Sequence, residues 1–151
     1  MELRRCTDVA VINAILQCPL IAPMLNDDYS SGTIESAAAD WMGVYEGGQC
    51  LGVFLLVPHN GVTVELHTAL LIGGAQALQA GRLLLAHVFT HWRKVVTQVT
   101  TDNRAALLMA RRSGFTQEGI NRASLQRGGV LLDQIVFGMT QGEYLCQQQQ
   151  Q

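Results

Sequence analysis

Two polar side chains near the middle of the chain could accept a proton. Residues 62–67 alternate between apolar and polar types, so one face of the predicted strand is apolar and the other polar. Glu65 and His67 lie on the polar face. A carboxylate or an imidazole can take a proton from an amine, directly or through a water molecule. The pattern predicts a general base at Glu65 or His67. A hydrogen-bonded histidine beside a solvated glutamate is the alternative interpretation.

A second candidate side chain begins a helix. The predicted strand Lys94–Thr100 is followed by Asn103, and the helix after it ends at Gly114. The Asn103 side chain can accept a hydrogen bond from the first turn of that helix. It could also orient a ligand through its amide group, and the two roles are compatible.

A glycine pair interrupts the chain between the polar-faced strand and the longest predicted helix, Ala75–His91. Gly73 and Gly74 stand where that helix begins. Backbone N–H groups at a helix start have no partner within the helix and can hold a phosphate, helped by the helix dipole. A simple strand-to-helix turn is the other interpretation of the pair.

The rest of the chain supplies the elements that must position these residues. Tight turns are predicted at the Gly-Gly and Asn-Gly dipeptides, because these residues readily adopt positive φ angles. The expected elements are a strand at 3–6, a helix capped by Thr7 or Asp8, a polar loop at 23–36 with a helical turn at 35–39, three antiparallel strands at 41–46, 50–57 and 62–71, the helix 75–91, the strand 94–100, the helix after Asn103, and a hairpin of strands at 115–124 and 130–137.

This order of elements resembles the GNAT superfamily of N-acetyltransferases over Trp41 to Gly138. The spacing of Asn103, the helix, Gly114-Phe115 and Glu118-Gly119 resembles the second acyl-CoA motif of that superfamily. The resemblance implies an α/β (α+β) fold with a central mixed, mostly antiparallel sheet flanked by helices. It also implies acetyl-CoA as the co-substrate, with no metal.

The resemblance further implies which residues bind the cofactor. They are Ile72, Gly73, Gly74, Ala75 and Ala77 in the loop before the long helix, together with Asn103 and Arg111. Arg111 and Arg112 form a small basic patch, for which a solvated helix face is the simpler interpretation.

Two positions depart from the superfamily pattern. Ile72 stands where an Arg or Gln is usual, which removes a charge-assisted phosphate contact of about 1.5–3 kcal/mol. Ala110 stands where many relatives carry a tyrosine acid, seven residues after Asn103. No pattern in the sequence places Tyr144 near the cofactor thiol instead.

Two functions follow from these residues. The first is an acetyl-CoA-dependent N-acetyltransferase that transfers an acetyl group to a primary amine, on a small molecule or a protein, by direct attack. Glu65 or His67 would act as base and Asn103 as an orienting amide. The alternative is a degenerate, non-catalytic GNAT-like binding or assembly module, such as a phage-encoded one, which pairs with itself or with another chain.

Composition excludes several other classes. The chain has 151 residues, a net charge of −2 and 15% charged residues, so we expect no broad attraction to nucleic acid or to anionic membranes. No apolar run reaches the roughly 18 residues that a membrane span needs. We expect a cytoplasmic protein with one domain at 1–146 and a polar glutamine tail at 147–151.

Metal binding is not expected either. The four cysteines are scattered without metal-ligand spacing. His87 and His91 stand four residues apart, but no acidic residue follows His87 as in H-E-x-x-H, and no third ligand is evident.

Overall fold

The computed structural model describes residues 1–151 and contains one seven-stranded sheet with the order β1-β2-β3-β4-β5-β7-β6. Only β4 and β5 pair in parallel; every other neighbouring pair is antiparallel. The strands are β1 (Glu2–Arg5), β2 (Asp40–Glu46), β3 (Gln49–Pro58), β4 (Thr63–Leu70), β5 (Lys94–Thr100), β6 (Thr116–Arg127) and β7 (Val130–Thr140). The helices are α1 (Val9–Leu16), α2 (Ala22–Leu25), α3 (Gly74–Val88), α4 (Arg104–Arg112) and α5 (Gln141–Gln149). The predicted mixed, mostly antiparallel sheet flanked by helices is confirmed.

Two Gly-Gly pairs form the tight turns that connect β2 to β3 and β6 to β7. Gly47 and Gly48 have φ angles of +56° and +81°, and they connect β2 to β3. Gly128 and Gly129, at +59° and +77°, connect β6 to β7 in the same way. Side chains other than Asn and Asp rarely adopt two such angles in succession, so these positions require glycine.

The helices cover the two faces of the sheet unequally. On one face, the α3 residues Ala80, Leu84 and Val88 are almost fully buried in the main core, and α4 buries Ala110 against β5 and β7. On the opposite face, α1 packs against β2, β3 and β4 through a smaller core around Ile12 and Ile15. Gln98 of β5 on that second face is exposed.

The segment between α1 and β2 differs from the prediction. The expected helical turn at residues 35–39 does not form, and the short helix α2 lies earlier, at Ala22–Leu25. Pro23 lies in its first turn, where a missing N–H leaves no helical hydrogen bond unmade. The predicted helix 75–91 ends at Val88, and the final hairpin extends beyond both predicted strand ends.

The glutamine tail also differs from the prediction, because Gln147–Gln149 form the last turn of α5. Thr140 and Glu143 make a reciprocal capping box at the start of that helix. The Gln147 side chain donates a hydrogen bond of 3.1 Å to the Gly114 carbonyl. No helix of the structure, including the 15-residue α3, combines the length and apolar character needed to cross a membrane.

Candidate active site

The two parallel strands separate part-way along their length. β4 and β5 pair only at Thr63–Glu65 and Lys94–Val96. Just beyond these pairs, the Thr97 hydroxyl donates a hydrogen bond of 2.9 Å to the Leu66 carbonyl. Beyond that bridge β4 continues along β3 and β5 continues along β7, so the facing backbone edges of β4 and β5 are left unpaired. An extended ligand can form hydrogen bonds with such edges.

The loop at the end of β4 leaves the start of α3 open. Gly73 is the N-cap and provides no side-chain cap, and Gly74 adopts a φ angle of +55°. A Cβ atom added at either glycine would meet nothing within 4 Å. The first N–H groups of α3, at Gly74, Ala75 and Gln76, have no partner within a helix and lie at the surface. Exposed N–H groups at a helix N-terminus form an anion-binding site.

Ile72 does not fill this opening. Its side chain is half-buried and packs against the main core. The loop therefore lacks the usual cation at position 72 but keeps its backbone donors accessible.

Two of the predicted cofactor residues lie outside this group of exposed N–H donors. Ala77 is buried, and its N–H donates to the Gly73 carbonyl at 3.4 Å, so it has no free donor. Arg111 lies in the last turn of α4. Gly81, about 10 Å along α3 from its start, faces Met109 and Ser113 beside Arg111, so Arg111 lies well away from the loop. A contact of Ala77 or Arg111 with the cofactor stays a prediction.

Asn103 is the N-cap of α4, at the end of β5 near the same opening. Its Oδ1 accepts a hydrogen bond of 3.1 Å from the Ala106 N–H. Its Nδ2 donates to no other group of the chain, so one donor stays available for a ligand. The orienting role remains a prediction.

The structure offers no tyrosine acid at the opening. Ala110 is buried against Val99 and Phe137. Tyr144 stacks on Phe89 with ring centroids 4.9 Å apart, beside the C-terminal end of α3. That end is the one remote from the Gly73–Gln76 loop.

Glu65 lies between two histidines, one of which the sequence did not indicate. Its Oε1 is 3.2 Å from Nε2 of His67, and its Oε2 is 2.5 Å from Nε2 of His59. The Glu65 side chain is 16% exposed, whereas His67 and His59 are 55% and 44% exposed. The carboxylate can therefore orient both imidazoles, and the His67 ring is the more accessible proton acceptor.

His59 could have been found from the strand register. Val57 pairs with Glu65, and His59 follows Val57 by two residues, which places it on the same face of the sheet. The histidine lies in the turn after β3, so the alternation within one strand did not indicate it.

A cavity of about 270 Å³ lies beside His67, on the face that α1 covers. Three consecutive β4 residues, His67–Ala69, line it, and these belong to the part of β4 that has separated from β5. The opposite wall comes from α1 and from the loop between α2 and β2.

The same loop is held by Arg127 at the tip of the β6–β7 hairpin. Its Nη1 donates to both carboxylate oxygens of Asp102, at 3.0 and 2.8 Å. Its Nε donates to the Asn26 carbonyl at 2.9 Å and its Nη2 to the Met24 carbonyl at 3.0 Å. One guanidinium thus joins the hairpin tip to the segment that begins at Met24 and to Asp102, the residue that precedes Asn103.

Asp28 reinforces this contact from the loop side. Its carboxylate accepts hydrogen bonds from the N–H groups of Gly129, at 2.9 Å, and Gly128, at 2.7 Å. These bonds favour the ionised form and lower the pKa of Asp28 from its ordinary value. For Asp102, burial raises the pKa, but hydrogen bonds from Thr100 and Arg127 outweigh it and the pKa is lowered. We name the set Arg127, Asp28 and Asp102 the hairpin clamp.

His87 lies in the last turn of α3, and His91 lies in the turn that follows the helix. The ring centroids of His87 and His91 are 5.7 Å apart, and no group of three or more His, Cys, Asp or Glu residues is placed to hold a metal ion.

Several solved structures with the same architecture are named as acetyltransferases. Spermidine N-acetyltransferase from Vibrio cholerae, in complex with CoA and spermine, superposes with a TM-score of 0.80 at 20% identity, covering 95% of this chain and 97% of that one. The chain has the GNAT fold. A probable GNAT-family acetyltransferase from Chromobacterium violaceum superposes at 0.74, with 19% identity and coverage of 95% and 85%.

A ribosomal-protein-alanine N-acetyltransferase from Brucella melitensis shares the GNAT fold as well, with a TM-score of 0.72, 15% identity and coverage of 93% and 99%. No protein-family model and no curated protein matches the sequence. At these identities the similarity concerns the GNAT fold. What this chain does with the fold depends on the residues at its opening.

Proposed function

We propose that the chain is an acetyl-CoA-dependent N-acetyltransferase that transfers an acetyl group to a primary amine by direct attack. One observation carries the proposal: the open, uncapped start of α3 lies at the end of β4 that has separated from β5. An anion site and a channel for an extended ligand therefore adjoin each other. The Vibrio cholerae neighbour, which holds CoA, supports this proposal.

The residues at the loop fit the cofactor. The N–H groups of Gly74, Ala75 and Gln76 would hold its pyrophosphate, since nothing occupies the space beyond the two glycines. Asn103 Nδ2 would contribute one further donor. Acetyl-CoA, when bound, supplies an activated acetyl group as a thioester. The openness of the loop weighs against the non-catalytic alternative, for which Ile72 would have to fill the groove.

The base is the His67 imidazole, oriented by Glu65. An amine must lose a proton before its lone pair can attack, and His67 is the exposed acceptor beside the cavity. Glu65 holds the ring through Nε2 and stabilises the imidazolium that forms. The departing thiolate is a fair leaving group, so transfer does not require an acid at Ala110.

Isothermal titration with acetyl-CoA and with CoA tests the proposal. We expect saturable binding with a Kd of about 100 μM, near −5.5 kcal/mol. Gly74→Glu places a negative charge at the phosphate site and should abolish binding. Gly74→Lys is the matched control, because it carries the same backbone strain with the opposite charge, and it should bind as well as or better than the wild type.

Two outcomes would sink the proposal. Absence of both heat and thermal stabilisation at millimolar acetyl-CoA would exclude it and favour a binding or assembly module. Unchanged binding in a folded Gly74→Glu variant would show that the phosphates of the cofactor do not contact this loop. Transfer itself is then measured by thiol release with a panel of amines.

A further inference from the structure

The cavity beside His67 has mostly apolar walls. Leu16 and Leu25 line it from the helix side, and Trp41, Val53 and Leu55 line it from the sheet. Leu20, between α1 and α2, is 81% exposed, and Tyr29, in the loop between α2 and β2, is 84% exposed. A ligand that enters here meets carbon surface on several sides, and burial of its own apolar groups is favourable.

No carboxylate lines the cavity, and every nearby carboxylate except that of Glu35 already has a partner. Asp28 accepts from the hairpin tip, and Asp27 accepts from the Tyr29 N–H at 2.7 Å. Glu65 lies between its two histidines, and Asp102 is paired with Arg127. Glu35 is exposed and lies outside the lining. A second cation on a ligand would therefore find no partner here.

We propose that this cavity binds a single apolar substituent of the acceptor amine and so selects primary monoamines over polyamines. This inference rests on the proposed acetyltransferase function. The reacting nitrogen would lie at His67, and its carbon chain would extend toward Leu25 and Ile34. A polyamine in the same pose would bury a second ammonium group without a counter-charge, which is strongly unfavourable.

The volume limits the size of the substituent. About 270 Å³ lies just below the usual range for pockets that hold drug-sized ligands. It suits one branched aliphatic or phenyl group, as in isoamylamine or phenethylamine. The same chemistry is present at the N-terminus of a polypeptide that begins with Leu or Phe, so the acceptor is either a free amine or such an N-terminus.

The test measures both binding and transfer with the full-length protein. Isoamylamine, phenethylamine, spermidine and a short peptide beginning with Leu are titrated against the CoA-saturated protein by ligand-detected NMR. The same compounds then serve as acceptors in the thiol-release assay. We expect the apolar compounds to bind and to be acetylated with a kcat/KM at least tenfold above that of spermidine. The ratio of the kcat/KM values for isoamylamine and for the peptide shows whether the acceptor is a free amine or a polypeptide N-terminus.

A charge placed within the lining sharpens the test. Thr33 is exposed and lines the cavity, so Thr33→Asp adds a carboxylate there without disturbing the core. We expect a loss of tenfold or more in kcat/KM for phenethylamine and a gain for spermidine. Thr33→Asn has the same shape without the charge and should show no gain for spermidine. Ala38→Asp adds the same charge outside the lining and should leave both rates unchanged.

The outcomes separate this inference from the proposed function. Binding of CoA together with a preference for spermidine, or with no binding of any apolar amine, overturns the monoamine pocket and leaves the cofactor site intact. Phenethylamine that binds the CoA-saturated protein, and binds more weakly to Thr33→Asp but not to Thr33→Asn, would support the pocket even where transfer is slow. Loss of CoA binding itself counts against the proposed function, and NMR titration of the free protein then tests the pocket in the same way.

Discussion

At the scale of single residues, Glu65 contacts two histidines, and one of them, His67, is the proposed base. His67 is exposed beside the cavity, whereas Glu65 is largely covered and contacts both imidazoles. Such an arrangement fixes the tautomer and the orientation of the accepting ring. His59 contacts the other carboxylate oxygen of Glu65, so in the proposed mechanism it is a positioning residue.

The division of roles predicts unequal losses. General-base catalysis contributes about 10²–10⁴-fold, so His67→Asn should lower kcat by roughly 100-fold or more while the Kd for acetyl-CoA is unchanged. Glu65→Gln should lower kcat less, because the His67 ring remains. Steady-state kinetics with a monoamine acceptor, alongside titration with acetyl-CoA, measures both effects. His87→Asn, on the remote part of α3, is the control.

A larger loss in Glu65→Gln than in His67→Asn would make the carboxylate the base. Full activity in both variants would show that neither Glu65 nor His67 takes part in the reaction.

The placement of Glu65 and His67 on one face could be predicted because the alternation within one strand contains that information. Glu65 and His67 lie on the polar face because the side chains of a strand alternate. His59 and Arg127 were missed, since each acts on a residue that only the fold brings near. Arg127 contacts carbonyls about 100 positions earlier in the chain, and no local pattern contains that information.

At the scale of elements, the separation of β4 from β5 places two helix starts beside one opening. α3 begins where β4 ends and α4 begins where β5 ends, and both strands run in the same direction. The exposed N–H groups of α3 and the Asn103 amide therefore lie on the same side of the sheet edge. Helix packing in the core, through Leu84 and Val88, holds α3 in this place.

Asn103 can be tested for its two roles separately. Asn103→Ala removes the cap and should lower the free energy of unfolding by about 0.5–2 kcal/mol. Asn103→Asp keeps a capping oxygen but loses the Nδ2 donor and adds a negative charge. We expect Asn103→Asp to keep the stability of the wild type and to bind acetyl-CoA at least fivefold more weakly. Denaturant unfolding and titration calorimetry measure the two quantities. Wild-type affinity in Asn103→Asp would leave Asn103 with the cap alone.

Elements with clear periodicity were predicted, and α5 was not. Its glutamines provide no apolar stripe, so the sequence indicated a polar tail. The stacking of Tyr144 on Phe89 depends on a contact beyond the helix, whereas the capping box of Thr140 and Glu143 is a local Thr-x-x-Glu pattern that the sequence itself contains.

At the scale of the whole molecule, the hairpin clamp connects distant segments around the cavity. The β6–β7 tip, the loop after α2 and the loop before α4 meet at one guanidinium and one carboxylate. The GNAT fold could be inferred from the order of elements, but this closure could not. The closure depends on how far the β6–β7 hairpin extends. The predicted ends of the two strands, at residues 124 and 137, fall short of the observed ends at Arg127 and Thr140.

The clamp makes the stability of the cavity wall depend on pH. The pKa values of Asp28 and Asp102 are lower in the folded chain than their ordinary values near 3.8. A carboxylate with a lowered folded pKa contributes stability above its unfolded pKa and loses it as pH falls through the folded one. We therefore expect the clamp to be complete above about pH 4 and to weaken below it.

Thermal unfolding between pH 3 and pH 7 measures this dependence. The wild-type Tm should fall steeply below pH 4, whereas Asp28→Asn should start lower at pH 7 and fall less. Glu35→Gln removes an exposed carboxylate that accepts no hydrogen bond, so its profile should follow the wild type. Parallel profiles for Asp28→Asn and the wild type would show that Asp28 does not hold the loop. Because the clamp holds the loop that lines the cavity, Asp28→Asn should raise KM for the amine and leave the Kd for acetyl-CoA unchanged.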